Sequence, residues 1–168
     1  MIRRWIEEGA KYDGGDPQAT LASIAPRKYD AAPESYPATL PITALAYSKD
    51  GKQLAAAGYN EINIWNPADG KKVADIGGFG GEVHEVLVIG DQLYTCSADK
   101  TARQFNVADR KNVRTFSGHA DYVYALAVHP ASKRLATGSY DGEIRIWNTE
   151  DGSQVTSFIA APGYQPAK

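Results

Sequence analysis

Three side chains in the C-terminal third of the sequence have the residue types of a hydrolytic catalytic triad: His119, Ser139 and Asp141. In such a triad the histidine removes the proton of the serine hydroxyl, and the carboxylate orients the histidine. The serine, however, lies in Gly-Ser-Tyr-Asp-Gly and not in the Gly-x-Ser-x-Gly turn of α/β-hydrolases. Ser97 and Asp99 also repeat the same spacing without a histidine. A shared hydrogen-bond network between buried polar groups explains these residues better, and we predict a protein that is not an enzyme.

The same types of residue do not predict a metal or cofactor site. His84, His119 and His129 lie in three different contexts without the spacing of metal ligands. Cys96 is the single cysteine, which excludes a disulfide, a cysteine-based zinc site and a Cys-x-x-Cys-His haem motif within this sequence. We predict that Cys96 is a small buried thiol in a strand, and that the chain carries no metal and no cofactor.

Composition narrows the classes of partner. The 168 residues include 18 basic and 20 acidic side chains, with a formal charge of -2. Broad binding to a phosphate backbone needs a clustered basic surface, so we predict no nucleic-acid partner. No apolar run approaches the roughly 20 residues of a membrane span, and the N-terminal residues lack the apolar core of a signal peptide.

An internal repeat indicates how the candidate residues are positioned. Trp65, Phe105 and Trp147 each precede an asparagine and are separated by 40 and 42 residues. Glu61-Ile-Asn-Ile-Trp and Glu143-Ile-Arg-Ile-Trp alternate polar and apolar residues as half-buried strands do. A repeat of this period is typical of four-stranded β-propeller blades. We predict an all-β chain of three antiparallel blades, at about residues 37–78, 79–117 and 118–160.

The third repeat resembles a WD repeat in Gly118-His119, Gly138-Ser-Tyr-Asp-Gly142 and Ile144-Arg-Ile-Trp-Asn148, with Asn148 where the family usually has aspartate. The resemblance implies a propeller in which each blade holds a buried tetrad of histidine, serine or threonine, aspartate and tryptophan. In the third repeat the implied structural tetrad is His119, Ser139, Asp141 and Trp147. Partial tetrads are implied in the other repeats: Ser97, Asp99 and Phe105, with Phe79 for histidine, in the second, and Asn60 and Trp65, with Ala38 for histidine, in the first.

Residues 1–36 lie outside the repeats, and residues 161–168 form a tail. Ile2, Trp5 and Ile6 have the spacing of one apolar helix face, and prolines and glycines after them indicate a linker. The segment Ile-Arg-Arg-Trp-Ile-Glu-Glu-Gly-Ala resembles the closing helix of a bacterial, planctomycete-type c-type cytochrome domain. This resemblance implies an alternative function, in which the chain is the propeller part of an exported electron-transfer protein, with periplasmic rather than cytoplasmic localisation.

The main prediction is a non-catalytic scaffold for protein–protein interaction. Three blades are too few to close a ring, since propellers have about four to eight. We therefore expect either a fragment of a larger propeller or a homo-oligomer that completes the ring. The WD resemblance implies that the residue before the tight-turn aspartate helps to bind a protein or peptide partner. The candidate partner-binding residues are Tyr59, Tyr140, Tyr122 and Tyr124.

Overall fold

The computed structural model describes residues 39–160, and these residues form three four-stranded sheets. Blade 1 contains β1 (Ala44–Tyr47), β2 (Leu54–Ala57), β3 (Ile62–Asn66) and β4 (Lys71–Ile76). Blade 2 contains β5 (Val83–Ile89), β6 (Gln92–Ser97), β7 (Thr101–Asn106) and β8 (Asn112–Ser117). Blade 3 contains β9 (Val123–His129), β10 (Arg134–Ser139), β11 (Glu143–Asn148) and β12 (Gln154–Ile159), with one turn of 3-10 helix at Pro130–Ser132.

Each sheet follows the order of the chain, and all neighbouring strands are antiparallel. This topology gives every blade two edges. The top edge carries the turns between the second and third strands and the connections between blades. Its residues are 58–61, 77–82, 98–100, 118–122 and 140–142. The bottom edge carries the remaining turns. The predicted fold class, an incomplete propeller of three antiparallel blades, is confirmed.

The blades stack in chain order through two apolar cores. The inner strand β5 packs on blade 1, and β9 packs on β5, β6 and β7 of blade 2. The first core joins blades 1 and 2 through residues that include Ile62, Val83 and Phe105. The second joins blades 2 and 3 through residues that include Phe116, Leu135 and Trp147. One face of a blade is therefore buried by the blade that follows it.

A tight turn at the top edge of blade 3 fixes the aspartate of the predicted tetrad. Gly142 has a φ of 80°, a left-handed conformation that glycine adopts without steric cost, and its amide donates to the carbonyl oxygen of Ser139 at 3.0 Å. In blade 2, Lys100 occupies the equivalent place with a φ of 70°, and its amide donates to Ser97 at 3.2 Å. The two turns are thus built alike although their residues differ.

The predicted N-terminal helix, the linker at 1–36, Ala38 and the tail at 161–168 lie outside the described residues. Within the part that is described, no helix has the length and apolar character needed to cross a membrane.

Candidate functional site

One continuous hydrogen-bond network crosses the interior of blade 3. The indole N–H of Trp147 donates to Oγ1 of Thr137 at 2.8 Å, and this hydroxyl lies 2.8 Å from Nε2 of His119. Nδ1 of His119 lies 3.2 Å from Oδ2 of Asp141. Because an ionised carboxylate only accepts, Nδ1 of His119 carries the proton and donates to Asp141, and the neutral Nε2 then accepts the proton of the threonine hydroxyl. The network therefore satisfies every ring nitrogen of His119 and Trp147, which are both buried.

The hydroxyl of this network is supplied by Thr137, so the prediction of Ser139 as the tetrad serine is wrong. Ser139 lies at the end of β10, where the register with β9 shifts. Its Oγ donates to the carbonyl oxygen of Asp121 at 3.1 Å and accepts from the amide of Asp141 at 3.3 Å, so it stabilises the top-edge turn instead. Ser139 is also not bonded to His119, and the triad chemistry has no nucleophile–base pair here.

Asp141 is held as an anion by several donors at once. Burial by itself would raise the pKa of this carboxyl group, but the backbone amides of Glu143 and Ala120, together with His119, lower the pKa below its ordinary value. These amides lie 2.9 Å from the carboxylate oxygens. Asp141 therefore links the top-edge turn of blade 3, the connection that precedes β9 and the buried histidine.

Blade 2 uses different side chains at the equivalent positions. Phe79 replaces the histidine and Phe105 replaces the tryptophan, and their ring centroids lie 5.9 Å apart. Asp99, whose side chain is only 2% exposed, pairs with the guanidinium of Arg103 at 2.6 Å. The same guanidinium lies 4.7 Å above the ring of Phe79 and donates to the carbonyl oxygen of Gly78 at 2.8 Å. Arg103 thus supplies the donor that the missing histidine would have provided to the aspartate.

Two further polar residues of blade 2 complete the comparison with blade 3. Ser97 bonds the amide of Asp99 at 3.2 Å and the carbonyl oxygen of Gly81 at 3.3 Å, as Ser139 does in its own turn. Thr95 stands at the position of Thr137, is fully buried, and its hydroxyl has no hydrogen-bond partner among the described residues. Blade 2 therefore keeps the turn but not the central network.

Blade 1 retains the fewest residues of the tetrad. Pairing of Leu54 with Trp65 places Ala56 at the position of Thr137, so no hydroxyl stands beside the indole. Asn60 lies in the top-edge turn of blade 1, and Trp65 is half-buried. The interior of blade 1 is consequently apolar, with Ile62 and Ile64 buried against blade 2.

The donors that could hold a metal ion are already engaged. His119, Asp141 and Glu143 bring ligand atoms within 4.8 Å of one another. Both ring nitrogens of His119 are bonded as described above, and Glu143 is paired with Arg145 at 2.8 Å. His129 bonds Ser132 at the bottom edge. Burial raises the pKa of the Cys96 thiol well above its ordinary range, so the sulfur is protonated and unreactive.

Three tyrosines cluster at the top edge of blade 3. The Tyr124 ring centroid lies 6.4 Å from that of Tyr122 and 6.2 Å from that of Tyr140. His84 of blade 2 stacks on Tyr124 with a centroid distance of 4.3 Å. The amide of Tyr140 donates to the carbonyl oxygen of Tyr122 at 2.9 Å, which fixes the two segments together. We call Tyr122, Tyr124, Tyr140 and His84 the tyrosine cluster.

Tyr59 is exposed in the equivalent turn of blade 1, but none of the described ring contacts joins it to the cluster. The structure therefore brings together three of the four candidate partner-binding residues. His84 was not predicted as a member, although its position in the repeat is the same as that of Tyr124.

Three stacked four-stranded blades, one of them with an Asp–His–Thr–Trp network, define a protein of the β-propeller repeat class. The sequence model of the family described as "WD domain, G-beta repeat" matches residues 35–66 and 110–148. The first segment covers blade 1 as far as the end of β3, and the second runs from β8 of blade 2 to the end of β11 of blade 3. They leave out most of blade 2, where phenylalanines replace the histidine and the tryptophan.

Relatives with the same repeats are found in eukaryotes. The DENN domain and WD repeat-containing protein SCD1 of Arabidopsis thaliana is 32% identical over 112 residues, which cover 66% of this chain and 9% of that protein. The protein transport protein SEC13 of Debaryomyces hansenii is 38% identical over 85 residues, covering 46% of this chain and 29% of that protein. Subunit I of eukaryotic translation initiation factor 3 of Aspergillus terreus is 36% identical over 66 residues, covering 39% of this chain and 20% of that protein.

The chain spans less than a third of the length of each of these relatives. The family match and the relatives support assignment of the chain to the WD40 repeat family. They do not support the bacterial, cytochrome-associated interpretation of the N-terminal segment.

Proposed function

We propose that the chain is a non-catalytic interaction scaffold that binds a protein or peptide partner through the tyrosine cluster. The observation that carries the proposal is the grouping of Tyr122, Tyr124 and Tyr140 on one rigid edge, with exposed fractions of 45%, 47% and 75%. Tyrosine supplies a large contact area at low cost in conformational entropy, and it is enriched at the energetic centres of protein interfaces.

The surroundings of the cluster support a binding role. A backbone hydrogen bond joins the segments of Tyr122 and Tyr140, and His84 stacks on the ring of Tyr124, so the backbone of the cluster needs little ordering when a partner binds. Two of the relatives bear names from protein transport and translation initiation, which describe those proteins alone.

The proposal is tested by selecting peptides from a random phage-displayed library on the immobilised chain. Selected peptides should lose at least about tenfold in affinity with Tyr140→Ala, which removes a hot-spot ring worth about 2 kcal/mol or more. Val113→Ala is the control, because Val113 is an exposed side chain on the outer strand β8 of blade 2, away from the tyrosine cluster and from the open blade faces. Equal binding by Tyr140→Ala, Tyr124→Ala and wild type would contradict the proposal.

We also propose that blade faces left open in one copy are covered by a second copy, head to tail. Ile42 and Leu45 of blade 1 are each 61% exposed, whereas the equivalent Val83 and Val86 of blade 2 are 0% and 2% exposed. At the opposite end, Phe158 of blade 3 is 50% exposed, whereas the equivalent Phe116 of blade 2 is buried by blade 3. Each open face therefore has the residues of a face that elsewhere packs on a blade.

Light scattering coupled to size-exclusion chromatography tests this association. Wild-type chain should be dimeric or trimeric, and Leu45→Glu or Phe158→Glu should each give monomers, because either change places a charge in the contact. Val113→Glu, on the outer strand of the middle blade, is the control and should leave the assembly intact. A wild-type monomer at all concentrations would contradict the proposed association.

A further inference from the structure

The rings of the tyrosine cluster leave aromatic faces open to a ligand. Tyr124 is inclined by 63° to Tyr122 and by 55° to Tyr140, so these rings do not cover one another by stacking. His84, inclined by only 24°, stacks on one face of Tyr124, which is still 47% exposed. The faces of aromatic rings carry negative electrostatic potential, which attracts a cation.

The top edge around the cluster is acidic. Its described turns contain Glu61, Glu82, Asp99, Asp121 and Asp141, with Lys100 as the one lysine or arginine. The ammonium group of Lys100 donates to the carbonyl oxygen of Ala120 at 2.7 Å and so is already engaged. Asp99 is paired with Arg103 at 2.6 Å, so the negative charge of the turn positions that no arginine neutralises lies on Glu61, Glu82, Asp121 and Asp141.

Two of these carboxylates adjoin the cluster and form no ion pair among the described residues. Oδ1 of Asp121 accepts the amide of Tyr122 at 2.8 Å, which holds the carboxylate beside that tyrosine. Glu82 lies two residues before His84 and acts electrostatically on its ring. Burial nevertheless lowers the pKa of His84, so that its imidazole is neutral at neutral pH and does not repel a cation.

A shallow groove continues from the cluster along blade 3. It is lined by Tyr124, Tyr140, Glu143 and Ile144, among others. Glu143 is paired with Arg145 and therefore contributes no free charge, so the groove is apolar beyond the tyrosines. This arrangement fits a peptide that places one charged side chain at the rings and a short apolar stretch in the groove.

We propose that the tyrosine cluster binds a lysine or arginine side chain of a basic peptide segment, an inference that rests on the interaction function proposed above. The cation lies over the open rings of Tyr122, Tyr124 and Tyr140, and Asp121 and Glu82 offset its charge. A second copy seated head to tail on blade 3 would cover Ile144, because the equivalent Ala102 of blade 2 is fully buried by blade 3. The peptide and the proposed association therefore compete for this face.

The experiment uses two peptides that differ only in charge. The first is acetyl-Gly-Ser-Gly-Arg-Ile-Ala-Gly-amide, and the second has citrulline, a neutral isostere, in place of arginine. Dissociation constants are measured by nuclear magnetic resonance titration of the tyrosine ring signals. The arginine peptide should bind about fivefold or more tightly than the citrulline peptide, as expected for a cation over exposed rings assisted by carboxylates. Its affinity should fall as salt is added.

Variants separate the contributions of the rings and the charges. Tyr124→Leu should abolish the preference for arginine, whereas Tyr124→Phe should keep it, because phenylalanine retains the aromatic face. Asp121→Asn should reduce the preference by about twofold or more, as expected for a partly screened pair. Val113→Ala, at an exposed residue outside the cluster and outside the open blade faces, should leave the preference unchanged. Circular dichroism verifies that each variant is folded.

Equal affinity for the arginine and citrulline peptides would overturn the cation site. So would an arginine preference that survives both Tyr124→Leu and Tyr122→Leu. If the library-selected peptides still lose binding with Tyr140→Ala, the scaffold function stands while the cation site alone is wrong. If those peptides are insensitive to every tyrosine variant, the scaffold function is wrong as well.

Discussion

The hydroxyl of Thr137 is the most informative single group in the described structure, because it bridges two buried rings. Thr137→Val replaces the hydroxyl by a methyl group of similar size and leaves Nε2 of His119 and the indole N–H of Trp147 without their partner. Both residues are buried, with exposed fractions of 6% and 3%. Each unsatisfied group costs about 1–3 kcal/mol. Because the two bonds share one atom, we expect a combined loss of about 2–4 kcal/mol in the free energy of unfolding.

Blade 2 offers a matched control for this substitution. Thr95 occupies the same repeat position and is equally buried, but its hydroxyl has no hydrogen-bond partner among the described residues. Thr95→Val therefore removes a polar group that already pays for desolvation without compensation. We expect it to be neutral or to stabilise the fold by up to about 1 kcal/mol.

Ser139→Ala provides the second comparison, since Ser139 was the residue predicted from sequence. Its two bonds are partly buried and belong to the turn, so we expect a loss of about 0.5–1.5 kcal/mol. Urea unfolding followed by far-ultraviolet circular dichroism measures all three variants. The expected order of stability is Thr95→Val, then Ser139→Ala, then Thr137→Val. A Thr137→Val variant as stable as wild type, or Thr95→Val as damaging as Thr137→Val, would refute the network.

Three further predictions concern the charges and the thiol. Arg103→Gln should lower the free energy of unfolding in urea by about 2–4 kcal/mol, because it leaves the buried Asp99 carboxylate without its cation. Arg145→Gln, in a more exposed pair, should lower it by less than about 1 kcal/mol. Equal losses would contradict the role of Arg103. The lowered pKa of Asp141 means that its ionised form stabilises the fold above the unfolded-state pKa near 3.8, and this contribution is lost as the pH falls through the lower folded-state value. Asp141→Asn should therefore lose less stability than wild type when urea unfolding is repeated at successively lower pH below about 5, and an unchanged pH dependence would contradict the assignment. The Cys96 thiol, buried and protonated, should react with a disulfide reagent only after unfolding in urea; rapid labelling of native chain would show that the strand is accessible.

The blades could be predicted from the sequence because strand alternation, turn chemistry and the repeat period all indicate the same elements. The third strands illustrate the agreement: alternation predicted strands at residues 61–65 and 143–147, and the structure has Ile62–Asn66 and Glu143–Asn148. Shifts of one residue are expected, since turn residues share hydrogen bonds with strand ends.

The tetrad hydroxyl could not be assigned from the sequence alone. Thr137 and Ser139 are both hydroxyl residues of β10, two positions apart, and alternation in a strand places such residues on the same face. The choice between them depends on cross-strand register, in which Thr137 pairs with Arg145 while the ladder shifts at Ser139. Register of this kind is a tertiary property.

The ion pair of Arg103 with Asp99 and the grouping of the tyrosines could also be recognised only from the structure. An arginine two residues before the aromatic residue occurs in blades 2 and 3, and the loss of histidine at Phe79 was the one signal that its role differs. Tyr59 shares its repeat position with Tyr140 but lies in the blade that has Thr43, directly before β1, in place of an aromatic residue. Equivalent positions therefore gave an isolated side chain in one blade and a cluster in another.

Chemical-shift mapping with a library-selected peptide on the isotopically labelled chain directly tests whether the tyrosine cluster is the binding surface. Binding at the tyrosine cluster predicts that the largest shifts occur at Tyr122, Tyr140 and His84. Shifts centred instead on the bottom-edge groove lined by Lys49 and Asp91 would contradict the account, because that groove lies at the opposite end of the blades.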